Sequence, residues 1–400
     1  MRSAMQDIVV AGGGFAGLWA SLAAVRELEL AGATAQVSLV SADPFLVLRP
    51  RLYEPDPAQM RVDLRPTLEP AGVRLVIALV TGVDSVERRL LLADGSVPFD
   101  RLVLATGSTL ARPAIDGAEL MFDIDSYAGA IRLEQHLRNL GSARGAAART
   151  VVILGGGFTG IELVTELRSR LSSLWGEAEA ASARLLLVEA AETIGPALGA
   201  GPRPAILAAL AADRVELRLS TRLESLTPES ALLSDGERIP TATVVLTTEM
   251  RASPLAATLA GAEHDALGRL KVDRMLRVKG ATNVFAAGDI AQALADETHL
   301  ALMSCQHALS MGRAVGRNVA RDLLGLELEA YTPPDYVTCL DLGAWGAVFT
   351  RGWDRTVQMT GAEAKALKRQ INSARIYPPR GEREQILGAV VPPPRPGQTR

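Results

Sequence analysis

The chain has 400 residues, of which 48% are hydrophobic, and a formal net charge of −3. This length predicts two or three domains with sizeable hydrophobic cores. The 42 Lys and Arg residues are scattered and are outnumbered by 45 Asp and Glu residues, which argues against a nucleic-acid-binding protein, since such proteins carry a basic excess or a basic stripe.

The first predicted unit is a strand, a glycine-rich turn and a helix near the N-terminus. Residues 8–11 (IVVA) form a short apolar run typical of a buried parallel strand, and Gly12, Gly14 and Gly17 follow it. In such a G-x-G-x-x-G turn, the first glycine permits the tight turn, the second lets a pyrophosphate approach the backbone, and the third lets the helix pack closely on the strand. The start of the helix offers unpaired N–H groups to the anion. The pattern therefore predicts a dinucleotide site.

A second unit of the same plan begins with the apolar run at residues 151–154. Gly155, Gly157 and Gly160 follow, then a helical pattern and a second apolar run at residues 185–188. Because each copy lies between a predicted strand and a predicted helix, the repeat favours two dinucleotide sites over glycines that serve only tight turns.

The last residue of the second strand in such a unit is usually an acid that binds the ribose hydroxyls. Glu189 stands there in the second unit, and no arginine follows it. A carboxylate accepts hydrogen bonds from the 2′-OH and repels a 2′-phosphate, so we expect NADH rather than NADPH. A surface charge at the end of the strand is the alternative interpretation. In the first unit Ser41 stands in place of the acid, and Asp43 lies two residues further on.

The remaining part of the chain is predicted to alternate strands and helices before it ends in a Pro-rich tail. In chain order, we predict a strand-rich stretch ending at Gly288-Asp289, a helix over about 304–324, possible strand patterns within 336–350 and a helix over 362–373. The tail after Tyr377 contains several prolines, and we expect it to be partly disordered.

Four segments together resemble the flavoproteins of the pyridine nucleotide-disulfide reductase fold, which have two dinucleotide-binding domains. They are GGGFAG at 12–17, LVLATGS at 102–108, GGGFTGIEL at 155–163 and VFAAGDIA at 284–291. The resemblance implies an α/β fold of two Rossmann-like domains, with the NAD domain inserted in the FAD domain. The implied bounds are 1–115 and 265–328 for the FAD domain, 116–264 for the NAD domain and 329–400 for a small C-terminal region.

Within that fold the chain most resembles the type II NADH dehydrogenases, which are NADH:quinone oxidoreductases. The segments that carry this likeness are DPFLVLRPRLYE at 43–54, MSCQHALSMGRAVGRNVARDLLG at 303–325 and WGAVFTRGWDR at 345–355. Three departures stand out. Ser41 replaces the ribose acid, Thr248-Glu249 stands where the family has Ala-Gly, and the quinone-site pattern Ala-Gln-x-x-x-Gln keeps only its first glutamine, Gln306.

The resemblance also implies which residues form the site. The residues implied to contact FAD are Gly12, Gly14, Gly17, Ser41, Arg49, Thr106, Gly107, Gly288, Asp289 and Ser304. Those implied to contact NADH are Gly155, Gly157, Gly160 and Glu189. Glu162, Cys305 and Gln306 are the candidate catalytic residues. The alternatives are an exposed first-turn glutamate for Glu162 and an inert, buried thiol for Cys305.

The implied activity is hydride transfer from NADH to the flavin, followed by electron transfer to a quinone or a similar small acceptor. A reductase of a protein partner such as ferredoxin, and a redox sensor that binds flavin and NADH, are the alternatives. No cysteine precedes Cys305, which argues against the disulfide reductases, and only a pairing of Cys305 with Cys339 would give sulfide:quinone chemistry. We predict no metal site. We expect His307 to be structural, although it could face the acceptor, and Trp345 and Trp353 to fill the core of the third region.

No apolar run approaches the ~18 residues needed to span a bilayer. The N-terminus leaves no room for a signal peptide before the first strand, so we expect a cytoplasmic protein. The helix over 362–373 has a narrow apolar face with Lys365 and Lys368 elsewhere, so it would either lie on an anionic membrane surface or pack on the protein body. A homodimer is a further expectation.

Overall fold

The first glycine turn belongs to a five-stranded parallel sheet. The computed structural model describes residues 6–391. The strands of this sheet are, in spatial order, Val284–Ala286, Arg101–Leu104, Asp7–Ala11, Gln36–Ser41 and Arg74–Ile77. Its central strands are buried on both faces, which explains their continuous apolar sequences.

Two helices, Phe15–Leu30 and Cys305–Leu323, pack together beside this sheet. Glycines permit their close approach. A Cβ at Gly312 would lie 2.5 Å from the backbone oxygen of Ala16, and one at Gly316 would overlap the backbone oxygen of Ala20. The start of the second helix is thereby fixed beside the first glycine turn.

The second glycine turn belongs to a separate five-stranded parallel sheet. Its strands are, in spatial order, Phe122–Asp123, Thr243–Leu246, Thr150–Leu154, Arg184–Val188 and Glu216–Arg218. The helices of this part of the chain are Tyr127–Leu140, Phe158–Trp175, Glu177–Ser182 and Arg203–Ala212. All five strands come between two strands of the first sheet in the chain, as an inserted domain requires. The domain bounds themselves stay a prediction.

Smaller antiparallel elements complete these two units. Two three-stranded sheets are formed by Val80–Asp84, Arg89–Leu92 and Gly95–Pro98, and by Leu223–Thr227, Ser230–Leu233 and Arg238–Pro240. Two-stranded pairs are Phe45–Val47 with Arg61–Asp63, Ser108–Leu110 with Met250–Ala252, and Leu270–Lys271 with Ala291–Gln292. A short helix spans Arg65–Ala71. The chain passes from the first large sheet to the second near residues 108–110 and returns near residues 250–252. The strands at these two positions pair with each other.

The C-terminal region is a three-stranded antiparallel sheet with a helix packed on it. The strands are Val337–Asp341, Ala347–Arg351 and Thr356–Thr360, and the helix Gly361–Gln370 continues into a π-helical turn at Ile371–Arg375. Ala364 is fully buried and Lys368 is 5% exposed. This helix therefore packs on the protein body, which was one of the two expected arrangements, but the buried face includes Lys368 as well as Ala364. None of the helices within residues 6–391 is both long and apolar enough to span a bilayer.

The tail after Tyr377, for which partial disorder was expected, contains a helix in the part that the structure describes. Arg383–Gly388 forms a helix in which Ile386 is fully buried and Leu387 is 5% exposed. Arg383 anchors this helix, since it donates a hydrogen bond to the backbone oxygen of Ala71 at 2.6 Å. The apolar residues between the prolines are thus buried against the protein body. Residues 392–400 of the predicted tail lie outside the described part of the chain.

Candidate active site

The two glycine turns have the same backbone geometry. Gly12 and Gly155, the first glycines, have φ of 113° and 106°, which side chains rarely adopt. A Cβ on either third glycine, Gly17 or Gly160, would overlap the backbone oxygen of the first. The middle glycines of the motif, Gly14 and Gly157, are different, because no protein atom lies within 4 Å of a Cβ added there. That open space at the start of each helix is where a pyrophosphate would sit.

The ends of the second strands are also equivalent in the two units. The Glu189 carboxylate accepts hydrogen bonds from the backbone N–H of Gly156 at 2.7 Å and of Ala191 at 2.8 Å. Glu189 is therefore fixed against its glycine turn rather than free at the surface. Ser41 occupies the same place in the first unit, since a Cβ on Gly13 would lie 2.5 Å from its Oγ. Serine thus stands in the position of the ribose acid.

The segment Thr106-Gly107 lies directly against the first glycine turn. The Thr106 Oγ1 is buried and has no hydrogen-bond partner among residues 6–391. Gly107 has φ of 69°, and Gly288, which begins the Gly-Asp segment, has φ of 76°. A Cβ on Gly288 would lie 2.9 Å from that of Ala16, in the first turn of the first helix. The open glycine turn and the unpartnered hydroxyl fit a bound FAD, which would supply an acceptor for that hydroxyl.

Arg49 and Asp289 meet beside this segment. Ser108 donates a hydrogen bond through its Oγ to Asp289 Oδ2 at 2.6 Å, and Arg49 Nη1 donates to the same Oγ at 3.2 Å. Arg49 also pairs with Asp125, and its Nη1 lies 3.7 Å from Asp289. Burial raises the pKa of the Asp125 carboxyl, against the lowering effect of Arg49. The sequence analysis did not identify Asp125, which follows a short strand and belongs to no recognised motif.

The helix Cys305–Leu323 begins at an N-cap formed by Ser304. Its Oγ accepts a hydrogen bond from the backbone N–H of His307 at 3.3 Å and lies 2.9 Å from His307 Nδ1. Gln306 donates through Nε2 to the backbone oxygen of Asp335 at 3.2 Å. Burial raises the pKa of Cys305 to about 11, so this side chain is a thiol near neutral pH. The roles of Ser304, Cys305 and Gln306 toward the flavin stay predictions.

Glu162 forms a buried ion pair that the sequence analysis missed. The alternative of an exposed first-turn glutamate is wrong, because Glu162 is only 3% exposed. Its Oε1 accepts hydrogen bonds from Lys368 Nζ at 2.7 Å and from the backbone N–H of Asp341 at 2.9 Å. Burial raises the pKa of Glu162 to about 7, although the Lys368 ammonium lowers it. No pattern in the sequence indicated this pair, since Lys368 lies on the charged side of its helix pattern.

Asp341 connects this pair to a second one and to the first unit. Its carboxylate pairs with Lys365 and accepts a hydrogen bond from the Tyr53 hydroxyl at 3.0 Å. Asn372 donates to Glu54 at 2.7 Å and to the Tyr53 hydroxyl at 3.4 Å. Burial, together with the nearby carboxylates, raises the pKa of Tyr53 well above its ordinary range. Side chains from the first unit, the second unit and the C-terminal region therefore share one buried polar network.

A stack of aromatic rings extends from His307 toward the surface. The His307 ring lies 5.3 Å from Tyr336, Tyr336 lies 4.5 Å from Trp353, and Trp353 lies 4.3 Å from His299, all nearly parallel. Burial and the Arg355 charge lower the pKa of His307 to about 4, so its ring is neutral near pH 7. The expectation that Trp353 fills the core is wrong, since it is only partly buried and belongs to this stack.

Comparisons with known proteins agree with this arrangement. Residues 6–312 match the family model described as pyridine nucleotide-disulphide oxidoreductase. An NADH dehydrogenase-like protein of Mycobacterium tuberculosis is 47% identical over 396 residues, which cover 97% of this chain and 98% of the relative. A type II NADH:quinone oxidoreductase of Staphylococcus epidermidis is 25% identical over 399 residues, 94% of this chain and 96% of that protein.

Solved structures show the same fold. NDH2 from Plasmodium falciparum, in complex with NADH, superposes with a TM-score of 0.78 at 12% identity, covering 94% of this chain and 95% of that one. The sulfide:quinone oxidoreductase of Aquifex aeolicus gives a TM-score of 0.73 at 17% identity, covering 92% and 90% of the two chains. At these identities the likeness concerns the fold alone.

Proposed function

The chain belongs to the pyridine nucleotide-disulphide oxidoreductase family, and on this basis we propose that it oxidises NADH through FAD and delivers the electrons to a quinone. The chain is an FAD- and NADH-dependent oxidoreductase of the NADH dehydrogenase-like kind. The observation that carries the proposal is the pair of open glycine turns, of which the second is bordered by the fixed carboxylate of Glu189. That carboxylate favours the free 2′-hydroxyl of NADH over the 2′-phosphate of NADPH.

The first glycine turn and its surroundings would hold the FAD. The N–H groups at the start of helix Phe15–Leu30 face the open space at Gly14, Thr106 would donate its free hydroxyl, and Ser41 and Asp289 would bind hydroxyl groups of the cofactor. When bound, FAD supplies the ring that accepts a hydride from NADH and passes electrons onward. The start of helix Cys305–Leu323 would stabilise negative charge on that ring through its dipole and free N–H groups.

Glu162 is the residue best suited to hold a proton near the site. Both hydrogen bonds to its carboxylate reach Oε1, so Oε2 has no hydrogen-bond partner among the described residues. A pKa of about 7 lets this carboxyl take up and release a proton near neutral pH. Lys368 holds the carboxylate in place and limits the rise in its pKa.

The quinone acceptor is supported by the relatives rather than by a bound molecule. The Staphylococcus relative is named as a quinone oxidoreductase, and a protein of Synechocystis that is 29% identical over 365 residues (88% of each chain) is named demethylphylloquinone reductase. Cysteine chemistry has less support, since burial raises the pKa of both Cys305 and Cys339 to about 11 and both thiols are free.

A sequential mixing experiment tests the proposal. The purified protein should contain one FAD, NADH should bleach the flavin absorbance under anaerobic conditions, and a short-chain quinone should restore it, while NADPH should bleach it much more slowly. The absence of bleaching by NADH would refute the enzyme. Reoxidation by a ferredoxin and not by any quinone would favour the protein-partner alternative.

The position in the cell and the assembly state are separate proposals. A quinone dissolves in the bilayer, so we expect peripheral membrane contact of an otherwise cytoplasmic protein. Co-flotation with anionic liposomes would support this contact, and sedimentation equilibrium would show whether the chain forms a homodimer. Because Ala364 of helix Gly361–Gln370 is buried on the protein and Leu367 is partly buried, we expect a membrane contact to use another surface.

A further inference from the structure

Reduction of a quinone by NADH consumes a proton as well as a hydride. The balance is NADH + H⁺ + quinone → NAD⁺ + quinol, so one of the two hydrogens added to the quinone comes from water. This inference rests on the proposed function. Glu162 is well placed to deliver that proton, but it is 3% exposed and cannot exchange protons with bulk water directly. A second group has to resupply it.

Glu166 lies one helical turn beyond Glu162, on the same face of helix Phe158–Trp175. Unlike Glu162, it is partly exposed, and no described residue donates a hydrogen bond to its carboxylate. A free carboxylate that reaches water can exchange protons with it. Along this helix, the two glutamates therefore form an outer and an inner acid.

The C-terminal region supplies matching cations to the two glutamates. Lys368 donates to Glu162 at 2.7 Å, and Lys365, one turn earlier on helix Gly361–Gln370, acts on the charge of Glu166. Asp341 contacts a residue on each side: its carboxylate pairs with Lys365, and its backbone N–H donates a hydrogen bond to Glu162 at 2.9 Å. Lys365 and Asp341 thus act on the charge of Glu166, and Asp341 also contacts Glu162 directly.

The charged groups that face Glu166 set its proton affinity. Burial raises the pKa of Glu166 to about 7, Lys365 and Arg170 lower it, and Asp341 and Glu54 raise it. Arg170 has its own partner, Glu134, at 2.6 Å. Because the pKa of Glu162 is also about 7, a proton can move between the two acids without a large difference in free energy.

The other branch of the network is a poor route for a proton. From Asp341 it passes through the Tyr53 hydroxyl to the side-chain amide of Asn372, and an amide neither gains nor loses a proton near neutral pH. The Asn372 amide therefore separates Asp341 from Glu54, the partly exposed acid at the end of this branch, whereas Glu166 is itself a titratable acid that reaches water.

We propose that Glu166 is the solvent-side entrance of a proton relay. The relay resupplies Glu162 along the face of helix Phe158–Trp175 on which Asp341 and Lys365 act. In each turnover, Glu166 takes a proton from water, Glu162 receives one from the relay, and Glu162 delivers one to the reacting centre. Both carboxylates then return to their starting state. No electrons move in these steps.

Two acceptors with different proton requirements test the relay. Quinone reduction consumes a proton, whereas reduction of two ferricyanide ions by NADH releases one. The oxidative half-reaction is followed by stopped flow at pH 6 to 9, with the NADH-reduced holoenzyme mixed with a short-chain quinone or with ferricyanide. The variants are Glu166→Gln, Glu166→Asp and, as a control, Glu177→Gln at an exposed position at the start of the next helix, Glu177–Ser182.

We expect Glu166→Gln to slow quinone reduction at least tenfold, more strongly above pH 7, while the rate with ferricyanide stays within twofold. Glu166→Asp and a small weak acid in the buffer should each restore part of the quinone rate, and Glu177→Gln should change neither rate. An unchanged quinone rate in Glu166→Gln, or an equal loss with both acceptors, would overturn the relay. If the unmodified enzyme bleaches with NADH but never reduces a quinone, it is the proposed function that fails.

Discussion

Removing Lys368 should expose how strongly the fold depends on its buried ion pair. The side chains of Lys368 and Glu162 are 6% and 4% exposed. Lys368→Met leaves the Glu162 carboxylate buried with only the N–H of Asp341 as a partner. Removing one partner of a buried pair typically destabilises a protein by about 3–5 kcal/mol, unless the remaining group loses its charge.

The pH dependence of this loss follows from the pKa of Glu162. That pKa is about 7 in the native protein, against 4.5 ordinarily, and loss of the Lys368 charge raises it further. Above pH 7 the native variant then keeps a proton that the unfolded chain has released, so its stability falls as the pH rises. Between the unfolded and the native pKa of the carboxyl, this slope is about 1.4 kcal/mol per pH unit. In the unmodified protein Glu162 contributes little slope above pH 8, because its native pKa is about 7 and it is then largely ionised in both states.

Urea unfolding at pH 6, 7, 8 and 9, followed by circular dichroism at equal FAD loading, measures this difference. Glu162→Gln combined with Lys368→Met is the matched control, because it has no carboxyl to titrate and should lack the loss of stability with rising pH that is expected of Lys368→Met. Parallel pH curves for Lys368→Met and the double variant would refute the reasoning.

Three further predictions concern the cofactor sites and the aromatic stack. Gly14→Ala should lower FAD content without changing the unfolding free energy of the apoprotein, whereas Gly17→Ala, whose Cβ overlaps the backbone, should cost about 3 kcal/mol in urea unfolding. Glu189→Gln should raise the Kd for NADH about 10- to 100-fold by fluorescence titration, and the exposed control Glu192→Gln should not. The free energy of unfolding should fall by up to about 3 kcal/mol as the pH drops from 6.5 to 4. The reason is that His307 becomes protonated in the unfolded chain, whereas in the folded protein its pKa is about 4 and it stays largely neutral. His307→Gln should remove that loss in urea unfolding. An unchanged acid sensitivity in that variant would contradict the assignment.

The motifs were predicted correctly wherever their geometry is local. Predicted helix 304–324 is observed as Cys305–Leu323, and both glycine turns have the expected backbone. Ser41 lies in the place of the acid, as its position in the sequence indicated. The helix Arg383–Gly388 was not predicted, because a Pro-rich composition does not show that Ile386 and its neighbours have a surface to bury against.

The sequence by itself determined the two dinucleotide sites, because a glycine turn and the acid that borders it are fixed by backbone geometry over some 35 residues. Only the tertiary structure decided the buried ion pair of Glu162 and Lys368. Glu162 and Lys368 lie 206 residues apart in the chain and meet because the C-terminal sheet and helix pack against the second unit. Hydrophobic periodicity places a lysine on the polar side of its helix, and it cannot show that a buried carboxylate compensates for that lysine's desolvation.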